Sequence, residues 1–251
     1  MLGVHLRPAC AQDLPGIADL AARAMLEDEL FAYLCPGRYE HYSHFRYAFL
    51  RRLKTRLVTP RYVMIVAVEN EGSGESICGY ALWNRSGSGA DAVQWHNDTW
   101  SHGDPPPCTW LSPTIPRLTF SALERMLLAV EDRYLALIYP DRSVDPHRLE
   151  QYLASAVDCF PFSDFPQNWF LSTVAVDPVH QRRGIGQQLI QWGLQQGLQD
   201  NVPVGLEASL KGFALYERLG FRTVNELELR PGIIMRAMIC DTNTLFNRNH
   251  S

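Results

Sequence analysis

The sequence has 251 residues, with 23 basic and 27 acidic side chains and a net charge of -4. This balance argues against nucleic acid as the main partner, because phosphate binding requires a basic surface. A hydrophobic fraction of 46% at this length is sufficient for a globular core without covalent cross-links.

Cysteine and histidine spacing gives no support for a disulfide framework or a metal site. The six cysteines are scattered and form no C-x-x-C pair. His41 and His44 are three residues apart, but no second pair of ligand-type residues stands at a recognisable spacing. The N-terminus lacks the pattern of a signal peptide, and no apolar run reaches the ~18 residues of a membrane span. We therefore expect a protein of the cytoplasm, or of cytoplasm and nucleus, with no membrane partner and no metal.

The first third of the chain is predicted to contain a strand, two helices and a β-hairpin. Alternating or β-branched residues mark the strands, and apolar residues at three- and four-residue spacing mark the helices. Asp13 is a suitable cap for the first helix, and Pro15 suits its first turn. The predicted elements are a strand at 4–7, helices at 13–24 and 40–57, and strands at 62–68 and 77–83.

Residues 86–116 are predicted to be a long irregular segment, because they are rich in proline and glycine. Segments of this kind are either functional or disordered, and Trp95, Trp100 and Trp110 argue against simple disorder. We interpret residues from about 86 to 165 as an insertion. Its tryptophans form either the core of the inserted segment or part of a substrate pocket.

The remainder of the chain is predicted to be mixed α/β. Asp177 and Pro178 end one strand, and Pro231 and Gly232 form a turn between the last two strands. The predicted elements are helices at 120–137, 146–157, 184–198 and 211–219, and strands at 168–176, 204–207, 221–229 and 233–239.

The most informative segment joins the predicted strand at 168–176 to the helix that begins near residue 184. Its sequence is Gln181-Arg182-Arg183-Gly184-Ile185-Gly186. The glycines let the backbone approach a phosphate closely, and free N–H groups at a helix N-terminus point toward it. The arginines add the positive charge that a pyrophosphate requires. A plain glycine turn is the alternative, but the arginines, the glutamine and the strand–loop–helix context favour an anion-binding loop.

This loop resembles the signature of the GNAT superfamily of acetyltransferases, Gln/Arg-x-x-Gly-x-Gly/Ala. The match falls on Gln181, Gly184 and Gly186. A second element typical of the family follows at the expected distance, at 206–209 and 215–221. The pairing of the two elements is more specific than either alone, and the chain is similar to the larger, fungal-type members.

The resemblance implies an α/β GNAT fold over residues 1–251, with a twisted, mixed and mostly antiparallel sheet of about seven strands and helices on both faces. The cofactor-binding core would span about 168–239. In this fold the fourth and fifth strands splay apart and acetyl-CoA lies between them. The residues implied in cofactor binding are Val174, Ala175 and Val176 on the strand, Gln181, Arg182, Arg183, Gly184, Ile185, Gly186 and Gln187 in the loop, and Ser209 near the pantetheine arm.

The resemblance also implies transfer of an acetyl group from acetyl-CoA to an amine, directly and in a ternary complex. The Val174 N–H would stabilise the oxyanion, and Tyr216 would protonate the leaving thiolate. Many relatives carry a glutamate on the fourth strand, whereas this chain has Trp-Phe-Leu-Ser at 169–172. Glu207 on the fifth strand is therefore the next candidate for the base. The alternatives are that Tyr216 only packs and that Glu207 only faces solvent.

A primary amine of a small molecule is the preferred acceptor. If the tryptophans of 86–116 line the pocket, the acceptor would carry an apolar or aromatic group. A peptide or protein amine is an alternative acceptor. A CoA-binding regulatory module without turnover is an alternative of another class, and an assay of thiol release with a panel of amines distinguishes it from an enzyme.

Overall fold

The computed structural model describes residues 3–71, 74–89, 92, 126–131, 133–135, 138–156 and 159–241. These ranges contain seven strands and six α-helices with defined ends, and a further helical stretch lies at 126–131 and 133–135. The strands are β1 His5–Pro8, β2 Tyr62–Glu71, β3 Gly74–Ser86, β4 Asn168–Val176, β5 Val204–Ala208, β6 Arg222–Arg230 and β7 Ile233–Cys240. The helices are α1 Leu14–Met25, α2 Glu29–Leu34, α3 Tyr42–Leu57, α4 Pro146–Ala156, α5 Ile185–Gln199 and α6 Leu210–Arg218.

The strands form one open sheet in the order β1-β2-β3-β4-β5-β7-β6. Every neighbouring pair is antiparallel except β4 and β5, which are parallel. The predicted fold class, a mixed and mostly antiparallel sheet of about seven strands with helices on both faces, is confirmed.

Alternation along the central strands places a core on each face of the sheet. On β2, Val66 and Val68 pack with α1, α2 and α3 on one face, while Ile65 and Ala67 pack with α5 and α6 on the other. Successive side chains of a strand point to opposite faces, so a strand buried on both sides is apolar throughout. A third, smaller cluster around Phe160 and Ile239 covers β7.

Close packing between α5 and the sheet depends on one glycine. A β-carbon on Gly193 would lie 2.2 Å from the ring of Trp83. The absence of a side chain at Gly193 therefore lets the Trp83 ring lie against the helix backbone. This contact holds α5 at a fixed depth over β3 and β4.

A buried ion pair anchors the far end of β3 to the C-terminus of α5. Arg85 Nε donates to Asp200 Oδ2 at 2.8 Å, and the Trp169 indole donates to the same oxygen at 2.9 Å. Both partners are nearly buried, with side-chain exposures of 2% for Arg85 and 12% for Asp200. Two donors on one carboxylate compensate for the loss of its hydration.

Most of the predicted elements are confirmed, and β4 has the predicted bounds. The strand predicted at 4–7 instead covers His5–Pro8, and a proline is possible there because β1 is an edge strand. Helix α2 was not predicted. The expectations for the irregular segment 86–116 fall almost entirely outside the described residues. Within the described ranges, none of the helices combines the length and the hydrophobicity that spanning a bilayer demands.

Candidate active site

The site lies where β4 and β5 separate. These parallel strands are paired only from Trp169 to Leu171 on β4 and from Val204 to Leu206 on β5. Beyond Leu171, β4 continues to Val176 without a partner on its β5 side. Backbone N–H and C=O groups on that side require hydrogen-bond partners from another source. The gap is thus suited to an extended ligand that lies along β4.

A β-bulge marks the start of the gap. Leu82 of β3 is opposite Thr173, and the next residue, Trp83, is opposite Leu171, so Ser172 has no partner in the ladder. A bulge bends its strand and re-aims the neighbouring backbone groups. The bulge therefore turns β4 at the position where it leaves β5.

A cleft of about 940 Å³ opens beside the gap. This volume is in the range of small-molecule sites in proteins. Its walls come from α2 and the residues preceding it, from α3, α4, β3 and β4, from the end of β5, and from the turn between β6 and β7. The lining side chains on which the chemistry depends are Arg52, Tyr80, Val174, Glu207, Ser209 and Tyr216.

The loop after β4 is held by hydrogen bonds of its own side chains. Asp177 is buried, and its carboxylate accepts hydrogen bonds from the Val179 N–H at 3.2 Å and from Arg23 Nε at 3.2 Å. Gln181 Nε2 donates to the Val176 carbonyl oxygen at 3.2 Å. These bonds fix the path of the chain between β4 and α5.

The start of α5 is an open anion-binding geometry. Gly184 caps the helix with a left-handed φ of 79°, and no side chain satisfies the first N–H groups. A β-carbon on Gly184 would meet no atom within 4 Å, so the space in front of the helix is open. Arg182 is also left-handed, with a φ of 66°. Alternating backbone hands turn successive N–H groups toward one side, and a helix N-terminus favours negative charge there.

The two arginines of this loop differ in their surroundings. The two terminal nitrogens of Arg183, Nη2 and Nη1, donate to the Glu69 carboxylate at 2.7 and 3.1 Å. This pairing holds the pKa of Glu69 below its ordinary value. Arg182 is exposed and has no ion pair within the described part of the chain. Of the two, Arg182 is the arginine whose charge is available to an anion.

One group of metal-type ligands lies beneath the same loop. Ligand atoms of Glu69, Cys78 and His180 lie within 4.8 Å of one another, and His180 Nδ1 is buried without a hydrogen-bond partner. Such N, S and O donors are those that zinc accepts. However, both oxygens of Glu69 are already bound by Arg183. His44, which stands three residues from His41 in the sequence, is not part of this group. Its ring stacks on Tyr139 with ring centroids 4.2 Å apart.

Glu207 lies near the end of β5 and lines the cleft. Burial raises the pKa of Glu207 to about 7, and a hydrogen bond from the backbone of Phe160 opposes the shift. The same charge helps to raise the pKa of the nearby Tyr152 to about 12, although burial of that phenol is the larger cause. The Glu207 carboxylate thus titrates in the pH range where a catalytic base operates.

Tyr216 lies on α6 and faces the cleft with only 7% of its surface exposed. Ser209 caps this helix, and its hydroxyl accepts a hydrogen bond from the Gly212 N–H at 3.4 Å. The Tyr216 ring packs edge-on against Phe221 with centroids 5.8 Å apart. Burial raises the pKa of Tyr216 above its ordinary value, which already lies well above neutral pH, so the phenol is protonated.

The predicted residues fall into two groups in space. Val174, Glu207, Ser209 and Tyr216 line the cleft. Ala175 and Val176 lie past its inner end on β4, and the loop from Gln181 to Gln187 follows them at the start of α5. The side chains of Ala175 and Ile185 are buried, so their contribution to a ligand is limited to the backbone.

The opposite wall of the cleft was not predicted from the sequence. This wall includes α2 and the arginines of α3. Asp28 accepts hydrogen bonds from the backbone N–H groups of Leu30 and Phe31 at 3.0 and 3.2 Å, and so caps α2. An aspartate before a short apolar run was the signal that could have revealed this helix.

Comparison with known proteins agrees with this architecture. The sequence model of the acetyltransferase (GNAT) family matches residues 24–221. The chain belongs to the GNAT family of acetyltransferases. As a member of this family, it is an enzyme that takes an acetyl group from acetyl-CoA.

Individual relatives are distant. An acetyltransferase from the fungus Stachybotrys chartarum is 28% identical over 225 residues, which cover 89% of this chain and 83% of the relative. The histone acetyltransferase HPA2-related protein of Corynebacterium glutamicum has a TM-score of 0.54 at 19% identity and covers 94% of both chains. The PaiA N-acetyltransferase of Thermoplasma acidophilum, solved with coenzyme A, has a TM-score of 0.50 at 10% identity over 95% of this chain and 99% of that chain. At these identities the solved structures establish the GNAT fold alone.

Proposed function

We propose that this GNAT enzyme transfers the acetyl group of acetyl-CoA to a primary amine of a small molecule, by direct attack in a ternary complex. The observation that carries the proposal is that Glu207 and Tyr216 line one cleft, beside the unpaired stretch of β4. One is a carboxylate with a pKa of about 7, and the other is a buried phenol, which is protonated at neutral pH. The reaction requires a base and an acid of these kinds.

Glu207 is the proposed general base. An alkylammonium has a pKa of about 10 and must lose a proton before it can attack a thioester. A carboxylate with a pKa of about 7 is partly ionised at neutral pH and is a stronger base than an ordinary glutamate. The neutral amine then attacks the carbonyl carbon, and the carbonyl oxygen becomes negative. The Val174 N–H is the proposed donor to this oxyanion.

Tyr216 is the proposed general acid. As the carbon–sulfur bond breaks, the Tyr216 hydroxyl donates its proton to the departing thiolate. Glu207 passes to solvent the proton that it took from the ammonium, and it then accepts the second proton, which the nitrogen loses as the tetrahedral intermediate collapses. The tyrosinate regains one proton from solvent, so the net reaction releases one proton. The products are an acetamide and free CoA, and no covalent enzyme intermediate is formed. Neither step requires a metal ion, and none is proposed.

The loop from Gln181 to Gln187 is the proposed pyrophosphate site. The uncapped N–H groups at the start of α5 and the left-handed residues Arg182 and Gly184 support this assignment. Val174 and Val176 would bond the acetyl and pantetheine groups through their backbone, with Ala175 between them and Ser209 across the gap. We further propose that residues 1–251 form one GNAT domain, in which about 86–165 is an insertion on the acceptor side and about 168–239 is the cofactor-binding core.

The shape of the cleft supports a small acceptor. Helices α2, α3 and α4 and the turn between β6 and β7 contribute to its walls, and its volume of about 940 Å³ is in the range of small-molecule sites. A peptide or protein amine is the alternative acceptor. The cytoplasmic location expected from the sequence stays a prediction.

Release of the CoA thiol from acetyl-CoA, measured with a panel of small amines and lysine peptides, tests this function. Turnover with a small amine, lost in Glu207→Gln and Tyr216→Phe, is the expected result. Turnover with lysine peptides alone would show that the acceptor is a peptide or protein amine and not a small molecule. Cofactor binding without turnover on any acceptor would overturn the proposal in favour of a regulatory module.

A further inference from the structure

Helix α3 presents several cations, and these divide by their partners. Arg46 pairs with Asp19, and Lys54 pairs with Glu131 at 3.2 Å. Neither Arg46 nor Lys54 lines the cleft. These two are ordinary solvated ion pairs of a helix surface.

Arg52 and Arg56 differ from those cations in position and in partner. They are four residues apart and therefore share one face of the helix, and both line the cleft. Their charges lie over rings, with Arg52 5.9 Å from the centroid of Phe49 and Arg56 4.2 Å from that of Tyr62. No carboxylate of the described residues is within ion-pair distance of either. In the described part of the chain, two guanidinium groups thus line the cleft without an ion-pair partner.

Arg52 lines the same cleft as Val174, Glu207 and Tyr216. Its charge acts on Tyr80 of β3 and on Tyr152 of α4, where it opposes the rise in pKa that burial causes. Tyr80 is directly opposite Ala175 on β4, one residue beyond Val174. The guanidinium is therefore within electrostatic range of the site proposed for the acetyl group.

The acidic residues of the cleft do not neutralise this pair of arginines. Asp28 accepts hydrogen bonds from its own helix, and Asp141 accepts them from the Ser143 N–H and hydroxyl at 2.8 and 2.6 Å. Glu207 is the proposed base, and Glu29 is half-buried at the start of α2. The other arginines of the lining already have partners. Arg236 pairs with Glu226 at 2.8 Å, and Arg51 also interacts with another residue.

We propose that Arg52 and Arg56 bind a carboxylate on the acceptor, so that the acceptor is an amino acid whose amine is acetylated while its carboxylate is held by α3. Guanidinium groups match carboxylate geometry and donate charge-assisted hydrogen bonds to it. This inference rests on the proposed function, because it specifies the class of amine that the same cleft accepts.

Matched acceptors test the assignment. Each ω-amino acid of three to six carbons is compared with its ω-amino amide. The amide has the same length and shape and keeps the amine, but it lacks the negative charge of the carboxylate. The wild-type enzyme is expected to prefer the acid in kcat/KM by roughly tenfold to a hundredfold. In the double variant Arg52→Gln, Arg56→Gln this preference falls to near one. Lys54→Gln removes a cation from the same helix outside the cleft, and it should retain the wild-type preference.

Two outcomes separate the failure of this inference from the failure of the proposed function. An acid-to-amide ratio near one in the wild type, unchanged in the double variant, overturns the carboxylate assignment and leaves the transfer reaction intact. If no amine releases thiol, the proposed function fails. Calorimetric binding of the amino acids to the CoA-saturated protein then decides the inference alone. Binding weakened in the double variant but not in Lys54→Gln supports it, and equal or absent binding overturns it.

Discussion

The ring of Tyr216 lies over Gly212, one helical turn earlier on α6, with no room for a side chain between them. A β-carbon on Gly212 would stand 2.7 Å from Cε2 of Tyr216. The glycine thus fixes the depth at which the phenol enters the cleft. Any residue with a side chain at this position must displace either the ring or the helix.

Tyr216→Phe keeps the ring and removes the proposed proton donor. We expect the turnover number to fall by about a hundredfold to ten-thousandfold, which is the usual effect of losing a general acid, with little change in acetyl-CoA affinity. Gly212→Ala should lower turnover in the same direction by displacing an intact phenol. Steady-state kinetics and calorimetry on both variants measure this. Wild-type turnover in Tyr216→Phe across the pH range would show that the residue only packs.

Glu207 should impose an acidic limb on the pH–rate profile. The base is active when deprotonated, and its pKa is about 7, so kcat/KM should rise as the pH increases through about 7 and level off above it. Glu207→Gln should remove this limb along with most of the activity. If the wild-type profile bends near pH 4.5 instead, Glu207 is not the titrating base.

The same residue should reduce stability at high pH. Its pKa of about 7 lies above its ordinary value of 4.5, so between these values the folded state binds more protons than the unfolded state. Stability contributed by this group therefore declines from about pH 4.5 to pH 7 and is level above pH 7. Glu207→Gln should be more stable than the wild type by about 1–3 kcal/mol at pH 8, with no difference at pH 4. Urea denaturation at both pH values checks the sign, and an equal effect at both would contradict it.

Charge at Gly184 should control cofactor affinity. The left-handed φ of 79° is accessible to Asp and Asn, so both replacements should leave the fold intact. Gly184→Asp places a negative charge at the proposed phosphate site and should weaken acetyl-CoA binding severely. Gly184→Asn has the same shape without charge and should weaken binding far less. Equal affinities for the two variants, measured by calorimetry on folded protein, would count against a phosphate at this helix start.

The buried pair of Arg85 and Asp200 should be far more important to stability than a surface pair. Asp200→Ala removes the carboxylate that accepts hydrogen bonds from the nearly buried Arg85 and from the Trp169 indole, for which the expected loss is about 3–5 kcal/mol. Asp241→Ala breaks a pair with Arg222 at 3.6 Å, in which both partners are at least half exposed, and should cost about 1 kcal/mol or less. Denaturant unfolding of both variants gives the comparison. A similar small loss in each would mean that Arg85 is solvated.

Local sequence predicted those parts of the site that local chemistry determines. The run from Asn168 to Val176 is largely apolar and ends at Asp177, so its bounds were evident. The loop was evident because two glycines and two arginines stand between a predicted strand and the start of a predicted helix. Helix α2 has only six residues, which is too short for a periodic pattern to be distinctive.

Long-range pairing determined what the sequence could not show. Arg183 is bound by Glu69, which is 114 residues away along the chain. The local sequence therefore could not show that Arg183 has a partner whereas Arg182 is open to an anion. Arg52 and Arg56 resemble the solvated face of any helix until the walls of the cleft are assembled around them. The bulge at Ser172 exists only in the register between β3 and β4.

The short contact between β4 and β5 has a consequence for how the molecule moves. Within the described residues, a ladder of three residue pairs joins an antiparallel sheet of four strands to another of three. Parallel pairing is slightly weaker per residue than antiparallel pairing. This short contact, the seam between the two halves of the sheet, is therefore where local opening should require the least free energy. Opening there separates two halves that each keep their own hydrogen bonds. Acetyl-CoA bound along the seam, as proposed, would bridge both halves and would stiffen the enzyme that consumes it.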